Sequence, residues 1–425
     1  MHARLKASAL FYAITVALLI GLVMGAMVLL THFRNVRTER WLTHERVASN
    51  ARSAAYAALY RATPDVGVVY LDLFGNGRDS AAVEVLAWGA MDLVRVRAWH
   101  GDQEATITAF AGRSFDARLV LDLPRSAGPV HVCGDARIRG NVRVPQADVR
   151  RGHIEGRPYS GDRLVDGDVL RSSDTPPVLR DELAGRLERM CSGTLGQGQA
   201  FEQVAEGQGS VLINAQSGPL PLLSFTGPTH LKDLHLRGPL LIRCNDSLSL
   251  DAVNELDLVM IQAPFIAIDP DAEFSVQCFA SKGILVGAGA RLIFPSLLAV
   301  WRDDRLAEGM HITIDPDALV QGAVIAIDRS IRGREQGSVV IHPGAIVQGE
   351  LYAEGSVQHQ GELSGTLIAR ELILRTLSTV YHGHLLDGTL HPYEQGSPWG
   401  FGCTSVLNER KILQWGNLRH GKRIG

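Results

Sequence analysis

Two short segments near the C-terminal end of the chain are near copies of each other. Residues 312–322 read ITIDPDALVQG and residues 339–349 read VVIHPGAIVQG, with Ile, Pro, Ala, Val, Gln and Gly at equivalent positions. A looser third copy, IAIDPDAEFSV, occupies residues 266–276. Short apolar-alternating units that recur a few tens of residues apart are typical of coils that stack on one another. The repeat therefore predicts a scaffold of stacked parallel strands rather than a compact enzyme core.

The same pattern of short strands extends from residue 209 to residue 392. Runs of Ile, Val and Leu are separated by Gly, Asp-Pro and Asn-Asp turns, as in LDLVMIQAPFIAIDP at 256–270. Parallel strands joined by helices would need about a dozen connecting residues with a helical pattern, and this region offers one short candidate, at 301–308. Residues 128–172 show the same alternation with closely spaced glycines. We therefore predict a mainly β protein with a parallel β-helix, or solenoid, built from residues 128–172 and 209–392.

Glycines follow the strands of these coils in a recurring A-x-V-x-G or I-x-G rhythm. It is seen in IRG at 138–140, ALVQG at 318–322, AIVQG at 345–349 and LSGTLIA at 363–369. These motifs resemble the bactofilin, or polymer-forming, type of β-helix. The resemblance implies a parallel β-helix and a structural role.

Two segments around the coils have other patterns. Residues 63–127 contain four alternating apolar runs separated by turn-rich strings such as GNGRD, which predicts a small antiparallel meander. The loop from Asp72 to Asp79 has a superficial likeness to a calcium loop, but its Asn-Gly pair favours a hairpin. Residues 173–208 are predicted to be an excursion between coils, with a short helix at Asp181–Met190 capped by Thr175 or Asp174.

The last segment, residues 393–425, is locally basic. We expect a frayed, solvated tail here rather than a phosphate-binding patch. The whole chain has a net charge of −3 over 425 residues, so no field of one sign indicates nucleic acid as a partner.

Near the N-terminus, residues 7–30 form an uninterrupted apolar run, ASALFYAITVALLIGLVMGAMVLL. Its length suits a helix that crosses a bilayer. From Phe33 to Tyr60 the chain has neither proline nor glycine, and an apolar stripe continues at helical spacing. Residues 1–62 therefore predict a permanent membrane anchor that continues as an amphipathic stem. The stripe consists of Val47, Ala51, Ala54, Ala58 and Leu59.

A basic start, an apolar span and an amphipathic stem that leads into a β domain resemble a type IV prepilin or pseudopilin. The resemblance covers about the first 60 residues and implies a membrane-anchored, filament-related protein. The glycine and glutamate that such proteins carry around their processing site have no counterpart in residues 7–12, which read ASALFY.

Small residues recur every fourth position along one side of the apolar run. This spacing puts them on one stripe of the helix, where another helix can approach closely. We predict that the stripe is a helix-packing face. Its members are Ala9, Ala13, Ala17, Gly21 and Gly25.

The orientation of the anchor has two interpretations. A strict count of Lys and Arg places the bulk of the chain in the cytoplasm, whereas the pilin-like layout places it outside the inner membrane. We favour a single-pass protein of a bacterial inner membrane with its bulk in the periplasm. The expected partners are membrane lipid around residues 7–30, a second membrane helix, and envelope proteins or glycans.

Two groups of aspartates are candidates for a catalytic role. Asp269 and Asp271 belong to a DPD triplet, and Asp303 and Asp304 follow a little later. Paired carboxylates of this kind act as acid and base in glycan-cleaving β-helices, but Asp-Pro is also a common turn element. A β-helical glycoside hydrolase or lyase, with this region as its acidic groove, is therefore the alternative to a scaffold.

The candidate metal ligands are His382 and His384, which lie two residues apart on a predicted strand. No carboxylate or thiol partner is identifiable for them, and the five cysteines form no CxxC pair. We expect neither a metal nor a cofactor. The sequence thus predicts a non-enzymatic, membrane-anchored envelope scaffold or pilin-like accessory protein that presents a rigid rod.

Overall fold

The computed structural model shows a mainly β chain with one long helix at its N-terminal end. The residues that it describes are 7–61, 67–72, 74–75, 77–113, 118–175, 177–193, 201–203, 210–212, 220–302, 311–328, 338–393, 402–404, 410–416 and 419–422.

A helix of 55 residues, α1, covers the predicted anchor and stem without a break. Four strands follow and pair antiparallel in chain order, which is the meander that the turn pattern predicts. The elements are α1 (Ala7–Arg61), β1 (Val69–Asp72), β2 (Asp79–Trp88), β3 (Met91–His100) and β4 (Gln103–Arg113).

The chain then enters a second region, the parallel domain, in which the long strands pair in parallel. Its first strand begins at Leu119, before the expected boundary at residue 128. We call its strands from Leu119 to Arg171 the first leg. Its strands are β5 (Leu119–Asp122), β6 (Val130–Cys133), β7 (Arg137–Ile138), β8 (Asn141–Val144), β9 (Val149–Arg151), β10 (His153–Ile154), β11 (Arg157–Pro158) and β12 (Val169–Arg171).

The predicted excursion contains a helix, α2 (Asp181–Cys191). The expected cap at Thr175 or Asp174 is wrong, because the residue before the helix is Arg180, which makes no side-chain cap. The backbone N–H and the Nε atom of Arg180 instead donate to the carbonyls of Cys403 and Gly402. The start of α2 is therefore fixed by a distant segment rather than by its own flanking residues.

A second leg follows α2, and its described strands pair in parallel except Val380–His382, which pairs antiparallel with Glu362–Arg375. Its strands are β13 (Phe201–Gln203), β14 (Ser210–Leu212), β15 (Leu220–Phe225), β16 (Thr229–Leu231), β17 (His235–Cys244), β18 (Ser247–Leu250), β19 (Glu255–Ile268), β20 (Glu273–Val286), β21 (Arg291–Arg302), β22 (His311–Ile314), β23 (Leu319–Asp328), β24 (Ser338–Ile341), β25 (Ile346–His359), β26 (Glu362–Arg375), β27 (Val380–His382), β28 (His384–Leu386) and β29 (Thr389–His391).

The two legs join side by side at β26 and β5. Along one side of the parallel domain the pairing order is β13–β15–β17–β19–β20–β21–β23–β25–β26, and it continues through β5–β8–β12. The Thr366 hydroxyl, on β26, donates to the Leu119 carbonyl at 2.6 Å across this junction. The first leg therefore runs away from the junction, and the second leg starts at the opposite end and returns to it.

The repeated segments lie on neighbouring parallel strands in matching register. Ile312 pairs with Val339, and Val320 pairs with Val347. The side-chain amide of Gln321 donates to that of Gln348 at 2.9 Å. The sequence repeat thus identifies strands that are hydrogen-bonded to each other. The apolar positions of the repeat face the core and are fully buried: Ile312, Ile314, Val320, Val339, Ile341 and Val347.

Two further strands, β30 (Arg410–Trp415) and β31 (Arg419–Lys422), pair antiparallel with β4. The expectation of a frayed tail is therefore wrong for these residues, because their backbone completes the meander sheet. The parallel domain is an insertion between β4 and β30.

The meander sheet has a different partner on each face. Ala51 and Ala54 of α1 pack against one face, which includes Val83, Val96 and Ile107. The opposite face packs against α2 and the parallel domain, through residues that include Trp88, Met91, Leu93 and Phe110 from the sheet and Phe279, Leu297 and Tyr352 from the parallel domain.

The turns of the repeated segments place an aspartate over a glycine of the next coil. Gly344 has φ +82°, and a Cβ atom there would lie 2.5 Å from the Asp317 Oδ1 atom. Gly156 has the same φ of +82°, but nothing lies within 4 Å of its Cβ position. Alanine substitutions at these two glycines therefore distinguish the cost of backbone strain from the cost of steric overlap.

We predict that Gly344→Ala lowers the thermal unfolding midpoint more than Gly156→Ala does. Both variants incur about 1–2 kcal/mol of left-handed strain, and only Gly344→Ala must also displace a carboxylate. Thermal melts of the full-length protein in detergent, followed by circular dichroism, measure the difference. Equal shifts for the two variants would contradict the stacked-turn geometry.

Candidate functional site

The first half of α1 is an apolar surface. Residues 10–35 are exposed, and the most apolar window has a mean hydropathy of 2.7 with none of it buried. The helix is long and apolar enough to cross a membrane. This half makes no packing contact within the part of the chain that the structure describes, so it is available to lipid or to other helices.

The predicted helix-packing stripe lies on this exposed half. Ala13, Ala17, Gly21 and Gly25 are exposed, and nothing lies within 4 Å of a Cβ atom built on either glycine. Ala9 is helical, and its side chain is outside the described set. A second helix can therefore approach the backbone here without displacing any described residue of this chain.

The second half of α1 is fixed to the sheet by a buried carboxylate. The Asp79 side chain is fully buried and accepts hydrogen bonds from Arg46 Nε at 3.0 Å and from Asn50 Nδ2 at 2.9 Å. His100 Nδ1, on β3, lies 2.9 Å from the same carboxylate. A buried carboxylate needs such partners to offset its desolvation. Asp79, on β2, therefore connects the stem to β2 and β3. No pattern in the sequence indicated this contact.

The predicted acidic groove is only partly described. Asp271 has φ +60°, which places it in a left-handed turn, and its carboxylate lies over Gly289 of the next coil. The Asp269 N–H donates to the Leu250 carbonyl as that turn begins. Asp303 and Asp304 lie outside the described residues. The DPD triplet thus lies in the turn between β19 and β20.

His382 and His384 do not share a face. Gly383, between them, has φ +71°, and the two histidines belong to different strands, β27 and β28. The His382 ring contacts Glu371 at 2.9 Å, whereas the His384 ring stacks on His131 with 4.6 Å between centroids. The two histidines, which the sequence did not favour as a metal site, therefore lie on different strands with different partners.

The five cysteines are unpaired and buried. Burial raises the pKa of Cys191 and Cys278 to about 12 and the pKa of Cys133 to about 11. Because the thiolate is the reactive form, these thiols are poor nucleophiles. They fill space in the core.

One group of metal-ligating side chains was missed by the sequence analysis. Ligand atoms of His230, Asp251 and Asp269 all lie within 4.8 Å of one another. The three residues are far apart in sequence and come together because their coils are neighbours. An alignment of the sequence coil by coil would have brought Asp251 and Asp269 into one column.

The chain was compared with known proteins. No protein-family model matches it, and no curated protein matches it. Among solved structures, it is similar to the competence-associated pilin ComZ from Thermus thermophilus, with 11% sequence identity and a TM-score of 0.21. The match covers 90% of this chain and 98% of that one. A TM-score this low does not establish a shared fold, so the function must be argued from the geometry of this chain.

We predict that Asp79→Ala weakens the attachment of the stem to the sheet. The change removes charge-assisted hydrogen bonds worth about 1.5–3 kcal/mol each and leaves Asn50 buried without this acceptor. Thermal melts of the full-length protein, followed by circular dichroism, measure the loss as a lower unfolding midpoint.

The matched control is Glu104→Gln. Glu104 pairs with Arg97 at 3.3 Å, and Arg97 is half-exposed, so this pair is worth about 0–1 kcal/mol. If the two variants melt at the same temperature, Asp79 does not join the stem to the sheet.

Proposed function

We propose that this chain is a non-enzymatic, pilin-like accessory protein that is anchored in a bacterial inner membrane and presents a β-solenoid to other envelope molecules. The observation that carries the proposal is the division of α1. One continuous helix has an exposed apolar half and a half that is packed on an antiparallel sheet.

This division fits a subunit that is held by its first helical half and carries its bulk outside the bilayer. Every backbone N–H and C=O group within a membrane span must be paired internally, which a helix achieves. The stem is held in a fixed orientation on the sheet by its buried stripe, from Val47 to Leu59, and by Asp79. The resemblance of residues 1–62 to type IV pilins and pseudopilins agrees with this layout.

The parallel domain is interpreted as a β-solenoid that the pilin-like base carries. Its pairing in parallel register from one coil to the next, and its inward-facing columns of Ile and Val, support this interpretation. Solenoids offer long regular faces that suit protein or glycan binding. Because the domain is inserted between two neighbouring strands of the sheet, it is attached to the base by two chain segments.

We expect the soluble part to lie outside the inner membrane. Alkaline phosphatase fused to the C-terminus would then be active in cells, and a green fluorescent protein fusion exported in the same way would be dark. The reverse pattern would place the solenoid in the cytoplasm and exclude an envelope role.

We predict that Gly21→Ile combined with Gly25→Ile reduces self-association of the membrane segment by about tenfold or more, because the β-branched side chains keep helix backbones apart. A transmembrane association reporter that carries residues 7–30 provides the measurement.

The control for this prediction is Leu19→Ile combined with Val23→Ile, which changes the other side of the same helix. Its association should match that of the wild type. Equal association of all three segments would remove the stripe as a packing face.

A further inference from the structure

Three coils of the parallel domain present ligating side chains at one corner. Leu250 of β18 pairs with Ile268 of β19, so the next residues, Asp251 and Asp269, occupy equivalent positions on adjacent coils. The N–H group of Asp251 donates to the Leu231 carbonyl, and that of Asp269 donates to the Leu250 carbonyl. These backbone bonds hold the two carboxylates in one column.

His230 approaches this column from the preceding coil. Its Nε2 atom lies 3.4 Å from the Asp251 Oδ2 atom, and ligand atoms of His230, Asp251 and Asp269 lie within 4.8 Å of one another. The other ring nitrogen, Nδ1, is 2.7 Å from the Ser249 hydroxyl. A hydrogen bond at the far nitrogen commonly orients a metal-ligating imidazole. Ser249 thus leaves Nε2 directed toward the carboxylates.

The two carboxylates are incompletely neutralised. The Asp251 Oδ1 atom accepts a backbone hydrogen bond from Val253 at 3.0 Å. Lys232 Nζ is 3.9 Å from Asp251. The Asp269 carboxylate has neither an ion pair nor a hydrogen bond with the described residues. Stacked like charges repel, and a shared cation between them would relieve the repulsion.

We propose that His230, Asp251 and Asp269 bind one divalent transition-metal ion of the zinc type. One imidazole nitrogen and two carboxylate oxygens suit Zn²⁺ or Co²⁺, whereas Ca²⁺ requires six or more oxygen ligands. Three protein ligands leave a further coordination position for water or for a group from a partner molecule. The ion joins three successive coils and gives the solenoid surface a ligand-exchange point, which goes beyond a scaffold role.

The test is a Co²⁺ titration of the full-length protein in detergent, after dialysis against a chelator, followed by visible absorption. The wild type should bind one equivalent that Zn²⁺ displaces. Asp269→Asn and His230→Gln should each weaken that binding by at least about tenfold, because each removes a direct ligand.

The matched control is Asp315→Asn. Asp315 occupies the same corner of a later coil, and the nearest ring nitrogen, His342 Nε2, is 4.0 Å away. This variant should bind Co²⁺ as the wild type does. Thermal melts in chelator establish that each variant is folded. Failure of the wild type to bind one equivalent, or equal affinity of the Asp269→Asn and Asp315→Asn variants, would overturn the proposal and show an ordinary surface ion pair.

Discussion

The pairing of β30 with β4 constrains the whole architecture. Because these strands are neighbours in one sheet, the chain between them must leave and return at nearly the same place. A row of parallel strands added in one direction has its two ends at opposite poles and cannot meet this requirement. The chain meets it by dividing the row into two legs that join at β5 and β26, with α2 on the connection between the outer ends. Close termini are what domain insertion requires.

The meander sheet links α1 to the parallel domain. On one face, Asp79 and the alanine stripe hold α1. On the other, the Gln277 side chain, on β20, bonds the turn between β2 and β3, accepting from the Ala90 N–H at 3.0 Å. Asp92 pairs with Arg186 of α2 at 2.8 Å and with Arg410 of β30 at 3.0 Å. These contacts make the direction of the parallel domain depend on the direction of the stem.

The parts of the fold that follow from local spacing were predictable. The copies at 312–322 and 339–349 predicted adjacent parallel strands, and the stripe from Val47 to Leu59 predicted the buried side of the stem. The order of the legs, the early start of the parallel domain at Leu119 and the return of Arg410–Trp415 to the sheet were not predictable in this way. Each depends on a pairing between residues that are hundreds of positions apart. Nothing in the periodicity of one strand specifies such a partner.

The sequence by itself determined which side chains face the core and which helix is apolar enough for a membrane, because periodicity and composition act over a few residues. Only the tertiary structure decided the surroundings of single polar groups. Asp79 is fully buried because α1 covers it, although it follows directly on the turn-rich string GNGR. His230, Asp251 and Asp269 converge because three coils lie side by side, and the hydrogen bonds that align those coils join backbone atoms whose partners the sequence does not name.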